Sequence, residues 1–385
     1  MTNELIKQIQ ERFETTFNKE PLTINSPGRI NLIGEHTDYN NGFVLPAAID
    51  KGIITAIQKS NNNFCTAVAF DLDETYDFSL NEIIPLEKGG WKNYIIGVAA
   101  EIQKYGKTIT SFNMVFGGDI PNGAGLSSSA AIENGLVFGL NELFNLGLSK
   151  KEMILISQKA EHNFALVNCG IMDQFASMFG KKDTALLLDC NSFESSEFKI
   201  DFDKYQLLLI NTNIKHSLSE SAYNDRRSVC EYAAKLADQK TLRDVPKDFL
   251  NELKTKINDA DYKKVTYVFE ENDRVKNAIE AIKNNDMQSL GKLLYASHNG
   301  LQNMYKVSCN ELDFLVDYTR NKPAVIGARM MGGGFGGCTI NLIEKEAVPT
   351  FSAAVKEVYL KQFHKDCSIY DIALSKGTHI HEKLK

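Results

Sequence analysis

Leu5, Ile9, Phe13 and Phe17 recur every fourth position, which predicts an amphipathic helix near the start of the chain and not the continuous apolar run of an export signal. Apolar, β-branched and aromatic runs bounded by turn residues predict strands over 22–26, 43–48, 53–57, 112–116, 185–188 and 207–211. Helical periodicity marks 92–105, 127–144, 150–165, 171–179, 219–237, 263–296, 310–320 and 347–363. These runs interleave without regular β-α-β alternation, so the predicted fold class is α+β and not a doubly wound parallel sheet. With 385 residues the chain exceeds the size at which a single core stops growing, so two apposed domains, 1–190 and 191–385, are expected. No internal repeat and no Pro- or Gly/Ser-rich linker interrupts them.

Charge narrows the function classes. The formal net charge is −6 and the basic residues are scattered, which argues against a nucleic-acid partner. No apolar run approaches membrane-spanning length, so no membrane partner is expected either. Seven widely spaced cysteines without a Cys-x-x-Cys pair suggest neither a disulfide framework nor a zinc site and fit a reducing, cytoplasmic setting. Nothing in the pattern fixes an oligomeric state.

Three segments carry chemistry. Residues 28–41, Gly-Arg-Ile-Asn-Leu-Ile-Gly-Glu-His-Thr-Asp-Tyr-Asn-Asn, crowd a guanidinium, two carboxylates and an imidazole between turn residues. Buried without partners such groups would be costly, so they suit a cleft that binds a polar, hydroxyl-rich ligand. Residues 117–131 place Gly123, Ala124, Gly125, Leu126, Ser127, Ser128 and Ser129 between a strand and a helix. Glycines there admit close backbone approach, and the free amides of a helix N-terminus favour an anion such as phosphate. It is not a Walker loop, because no lysine occurs in it; Gly106-Lys107-Thr108 lacks the leading glycine, since position 101 is Glu101. The third segment, 330–338, formally satisfies Gly-x-Gly-x-x-Gly, but the residues after Gly337 read as a strand, so 324–329 and 339–343 are predicted to form a strand, loop, strand unit and not a dinucleotide fingerprint.

Together these segments resemble the galactokinase family of the GHMP small-molecule kinase superfamily. Gly34-Glu35-His36-Thr37-Asp38-Tyr39 is similar to the family's own signature, whereas the 125–130 and 332–337 loops are shared across the superfamily. Cys169-Gly170-Ile171-Met172-Asp173-Gln174 and 221–227 extend the resemblance over most of the chain. It implies a two-domain GHMP fold with the active site in the cleft between the domains. It also implies transfer of the γ-phosphoryl of ATP to the C1 hydroxyl of galactose, with Mg2+.

Residue by residue, the resemblance implies Asp173 as the catalytic aspartate and Arg29 as its neighbouring cation. Glu35, His36, Thr37, Asp38, Gly170 and Tyr223 would bind substrate, residues 123–129 would bind ATP, and Ser129 and Glu161 would hold the metal. Glu161 falls about 100° round the helix from the apolar stripe Met153, Ile156, Ala160 and Phe164, within reach of a cleft. Asp173 also reads as a helix-N-terminal acid, and Ser127 as an ordinary N-cap. Two alternatives share the motifs. A GHMP kinase for N-acetylgalactosamine or arabinose would alter the first segment, and a catalytically silent sensor would lose Ser127–Ser129 or Asp173, all of which are present.

Overall fold

The computed structural model describes residues 3–121, 123–215 and 219–382, and of the side chains at 215 and 219–223 nothing further is described. A six-stranded sheet runs in the order His379–Ile380, Leu22–Asn31, Pro46–Lys59, Phe112–Gly118, Cys65–Ala69, Glu74–Phe78. Only the Cys65–Ala69 and Phe112–Gly118 pair is parallel. Helices Trp91–Lys104, Ser128–Phe144, Lys150–Ala160 and Met172–Phe179 share one core with this sheet, through Ile57, Phe112, Met114, Leu136 and Phe175 among others. The N-terminal helix Asn3–Phe17 buries Ile6, Ile9 and Phe13 in a separate cluster with Ile54, Ala56, Val68 and Val115.

A second, antiparallel sheet is ordered Val325–Met330, Gly336–Glu344, Tyr205–Lys215, Ser368–Ile372. The unbroken run Leu207-Leu208-Leu209-Ile210 has a simple cause. Alternate side chains leave opposite faces of a strand, and both faces are covered. Leu208 and Ile210 meet the helices Asn310–Arg320 and Val348–Phe363, while Leu207 and Leu209 join Val275, Ile279, Leu290 and Leu294 of two further helices. That second cluster also takes in Ile30, Leu32, Leu45 and Ala47, so the two halves of the chain share a core beneath the site.

Several features differ from the sequence reading. The stretch 263–296 is two helices, Asp259–Lys283 and Met287–Gly300, because Asn285 turns left-handed at φ 53° and the Asp286 side chain caps the next helix by accepting from the Ser289 amide. The helix over 150–165 gives way after Ala160 to a π-turn, Glu161–Ala165. Finally, His379–Ile380 returns to pair with Leu22–Asn31 at the edge of the first sheet.

Candidate active site

A cavity of about 610 Å³ opens between the 29–38 segment, the 161–173 turn and the 332–335 glycines, with Asn224 at its edge. Arg29 sits near the end of the strand Leu22–Asn31, and Asp173 in the first turn of the helix Met172–Phe179. The guanidinium grips the carboxylate with both forks: Nε donates to Oδ1 at 2.8 Å and Nη2 to Oδ2 at 2.7 Å. Nη1 donates to the Gly125 carbonyl at 2.6 Å, which ties the pair to the first glycine loop. Burial opposes the charge on Arg29, but Asp173, followed by Glu35 and Asp38, outweighs it and raises the pKa.

Ser127 precedes the helix Ser128–Phe144 in a left-handed conformation, φ 59°, and does not cap it; its hydroxyl donates to Asp173 Oδ2 instead. Asp173 thus accepts three hydrogen bonds. A carboxylate offers about four lone-pair directions, so one acceptor position, on Oδ1, is left on a residue that lines the cavity.

Beside this pair, Asp38 lies under Gly170 so closely that a β-carbon on Gly170 would overlap its carboxylate. Burial foremost, with Asp173 and Glu35 adding repulsion, pushes the Asp38 carboxyl up to about 7, against a pull from Arg29. Glu35 is fixed differently. Its Oε1 accepts from Arg329 Nη2 at 3.0 Å and from the Gly332 amide at 2.9 Å. Arg329, completely buried, also donates to the carbonyls of Asn31, Leu32 and Met330. His36 is buried with φ 62°, and burial, then the charges of Arg226 and Arg329, lowers its pKa to about 3.

On the far wall Ser129 Oγ donates to Glu161 Oε1 at 2.9 Å and Gln174 Nε2 to Oε2 at 2.7 Å. Glu161 opens the π-turn, the kind of helix distortion that recurs at functional sites. Burial, then Asp173, pushes its carboxyl up to about 7. Fully buried Glu133, one helical turn from Ser129, is raised well above the usual carboxylate range, chiefly by burial and next by Glu161. The two glycine loops face each other: a β-carbon on Gly125 would lie 3.8 Å from the Met331 carbonyl, and one on Gly337 3.7 Å from that of Gly123.

This arrangement has known counterparts. The "galactokinase galactose-binding signature" matches residues 11–59, the "GHMP kinases N terminal domain" 93–181 and the "GHMP kinases C terminal" 278–361. A galactokinase of Thermotoga petrophila is 39% identical over 360 residues, covering 92% of this chain and 99% of that protein. The chain belongs to the galactokinase family. A Clostridium acetobutylicum galactokinase is 38% identical over 385 residues, covering 97% of this chain and 98% of that protein. The crystal structure of Lactococcus lactis galactokinase complexed with galactose superposes with a TM-score of 0.93 at 33% identity, over 98% of this chain and 100% of that one. Mevalonate kinase from Methanococcus jannaschii, at 20% identity, a TM-score of 0.67 and coverage of 93% of this chain and 99% of that one, shares the fold alone. The chain is accordingly an ATP-dependent sugar kinase with the GHMP fold.

In this galactokinase-family chain the cavity brings together Arg29, Glu35, His36, Asp38, Glu161, Gly170 and Asp173. Thr37, in the same segment, is completely buried, outside the cavity lining, and its hydroxyl lies 2.9 Å from the Gly34 carbonyl and 2.6 Å from that of Phe43. Within 123–129, the side chains of Ala124 and Leu126 point into the core, so these two present only backbone. Ser128 is exposed at the first position of its helix. The side chain of Tyr223 lies outside the described residues. Sequence reasoning missed Arg329 and Gln174. Arg329 had a usable signal, because a lone guanidinium in the apolar strand Val325–Met330 demands a buried partner.

Among the described residues, no helix is long and apolar enough to cross a membrane.

Proposed function

We propose that this enzyme transfers the γ-phosphoryl group of ATP to the C1 hydroxyl of galactose, giving galactose 1-phosphate and ADP. The observation that carries this reading is Asp173, locked by Arg29 and Ser127 between the cavity and the glycine loop, with one acceptor position left for a hydroxyl. The galactose oxygen attacks the γ-phosphorus, the bond to the bridging β,γ-oxygen breaks, and the hydroxyl proton passes to Asp173. Phosphoryl transfer asks mainly for positioning and charge stabilisation. Arg29, held against Asp173, supplies positive charge for the transferring group. Glu35 and Asp38 bind sugar hydroxyls, with Gly170 leaving the room that Asp38 occupies. The amides of 123–129, at the start of the helix Ser128–Phe144, hold the phosphates.

Magnesium fits Ser129 and Glu161. Both offer hard oxygens, Oγ and Oε1 lie 2.9 Å apart, and Gln174 holds the other carboxylate oxygen in place. Among the described residues no group of three or more His, Cys, Asp or Glu side chains could hold a metal alone, so phosphate and water oxygens would complete its shell. The ion would neutralise phosphate charge. We further assign residues 1–190 to a domain with the sugar segment and phosphate loop, and 191–385 to a domain with the second glycine loop. A cytoplasmic setting is supported by seven free cysteines.

The galactose-binding signature over 11–59 and the intact 123–129 loop and Asp173 favour this reading over a related sugar kinase or a silent sensor. A panel of monosaccharides with ATP and Mg2+, followed by ADP release, tests it. Galactose should give the highest kcat/KM; preference for N-acetylgalactosamine or arabinose, or no turnover with any sugar, would overturn it.

A further inference from the structure

Three side chains of the helix Asp259–Lys283, in the second half of the chain, hold the backbone of the sugar segment. Completely buried Glu271 accepts from the Gly34 amide through Oε1 at 3.0 Å, and completely buried Tyr267 donates to the Glu35 carbonyl at 3.1 Å. Asn272 Oδ1 accepts from the Phe43 amide at 2.7 Å, where the segment leaves the site. Each direction is fixed by the backbone partner, because an amide N–H only donates and a carbonyl only accepts.

Tyr267 and Glu271 are four residues apart, so they stand one above the other on a single helix face. Val275, the next member of that stripe, meets Gly34: a β-carbon on Gly34 would come within 2.9 Å of Val275 Cγ2. Gly34 also has φ 104°, so helix and segment approach as closely as only glycine allows. The Glu271 carboxylate is itself held. Arg274 Nε donates to its Oε2 at 2.5 Å and Ser297 Oγ to Oε1 at 2.7 Å, which satisfies a charge that would be costly to bury alone. Asn272 is oriented by donating from Nδ2 to the Val268 carbonyl at 2.9 Å.

We infer that Tyr267 and Glu271 are positioning residues for the sugar pocket: they pin the Glu35 carbonyl and the Gly34 amide, and so set the place from which Glu35, His36 and Asp38 meet the sugar. The inference rests on the galactokinase reading for the identity of the sugar but not for its geometry. Arg329 and the Gly332 amide fix the tip of the Glu35 side chain, and Tyr267 fixes its root. A carboxylate held at both ends is placed before the ligand arrives, which lowers the ordering cost of binding. The anchored groups belong to residues 34, 35 and 43 and not to the 123–129 loop, so loss of an anchor falls on sugar affinity and spares ATP.

The test compares Glu271→Gln with Glu271→Leu in the full chain, reading Tm and the KM of each substrate. Both variants lose the charge opposite Arg274, so that loss cancels between them; glutamine keeps an oxygen for the Gly34 amide and leucine does not. The galactose KM should be about tenfold higher for the leucine variant, the order expected when a buried donor loses its partner, with the ATP KM the same in both. Tyr267→Phe keeps the ring and every charge. It should raise the galactose KM about three- to tenfold with the ATP KM unchanged, and it decides the matter if the Glu271 variants do not fold. An equal galactose KM for the glutamine and leucine variants, or a Tyr267→Phe enzyme with the wild-type galactose KM, overturns the inference. So does a loss of Tm in which the two KM values stay at wild type or rise together, the mark of a merely structural cluster. If the wild type prefers a different sugar the proposed function falls, and the same comparison made with that sugar still reads the anchors.

Discussion

Gly170→Ala should damage both folding and sugar recognition, because the space a methyl group needs is already filled. The added carbon would overlap the Asp38 carboxylate and come within 2.9 Å of Asp38 Cβ, well inside the roughly 3.5–4.0 Å optimum for carbon pairs. Asp38 or the 168–172 backbone has to move by on the order of an ångström. Overpacking of that kind costs about 1–3 kcal/mol. For a domain of this order it lowers Tm by about 2–10 °C. A misplacement of about 1 Å at a positioning group lowers kcat/KM by about 10²-fold. The loss should fall on galactose, whereas the ATP KM should hold, since the three atoms nearest the added carbon all belong to Asp38. Differential scanning fluorimetry and coupled ADP-release kinetics give the two readouts. A double-mutant cycle with Asp38→Ala isolates the cause. In that background the overlapping carboxylate is gone, so Gly170→Ala should cost markedly less stability than it does alone. An alanine variant with wild-type Tm and galactose kcat/KM, or a penalty just as large without the Asp38 carboxylate, would refute the reasoning.

Three further outcomes are expected. Asp173→Asn removes the proton acceptor while keeping a side chain of the same shape beside Arg29, so turnover should fall about 10²–10⁴-fold with ATP binding, measured by equilibrium dialysis, largely retained. Arg329→Met strips the buried partner from Glu35 and leaves the Asn31 and Leu32 carbonyls short of a donor; breaking a buried pair in this way costs about 3–5 kcal/mol, to be read by urea denaturation, and should raise the galactose KM. Asp38 links stability to pH: between its ordinary value of 3.8 and about 7 the folded state keeps a proton that the unfolded state releases. That stabilisation is complete below 3.8 and is lost as pH rises through 7, so the Tm difference between wild type and Asp38→Asn should change between about pH 4 and 7 and level off above 7. Galactose kcat/KM should rise as pH passes through 7 and the carboxylate gains its full acceptor capacity.

Most of the longer helices with one buried face were legible, whereas the short helix Phe249–Lys256, which buries Leu253, was not. Asn310–Arg320 matches the sequence reading end to end, and Lys150–Ala160 starts where the Ser149 and Glu152 capping box dictates. Edge strands were not legible. Glu194–Lys199 and Glu74–Phe78 are mostly exposed and polar, so neither face imposes an apolar alternation. The break at Asn284-Asn285-Asp286 was written in turn and cap residues but was overrun by the apolar periodicity on either side. In the site, residue types and loop chemistry were visible in the chain, whereas their pairing was not. Arg29 and Asp173 are 144 residues apart and Arg329 and Glu35 are 294 apart, and spacing along a sequence says nothing about contacts of that range. Thr37 illustrates the converse: a polar residue inside a recognition segment satisfies the backbone of its own turn.

The most direct test of the account is a crystal structure of the enzyme with galactose and a non-hydrolysable ATP analogue. The sugar C1 oxygen should sit within hydrogen-bond reach of Asp173 Oδ1, with Glu35 and Asp38 on the other hydroxyls and the triphosphate on the amides of 123–129. A galactose whose C1 oxygen faces away from Asp173, or a triphosphate bound away from that loop, would contradict it.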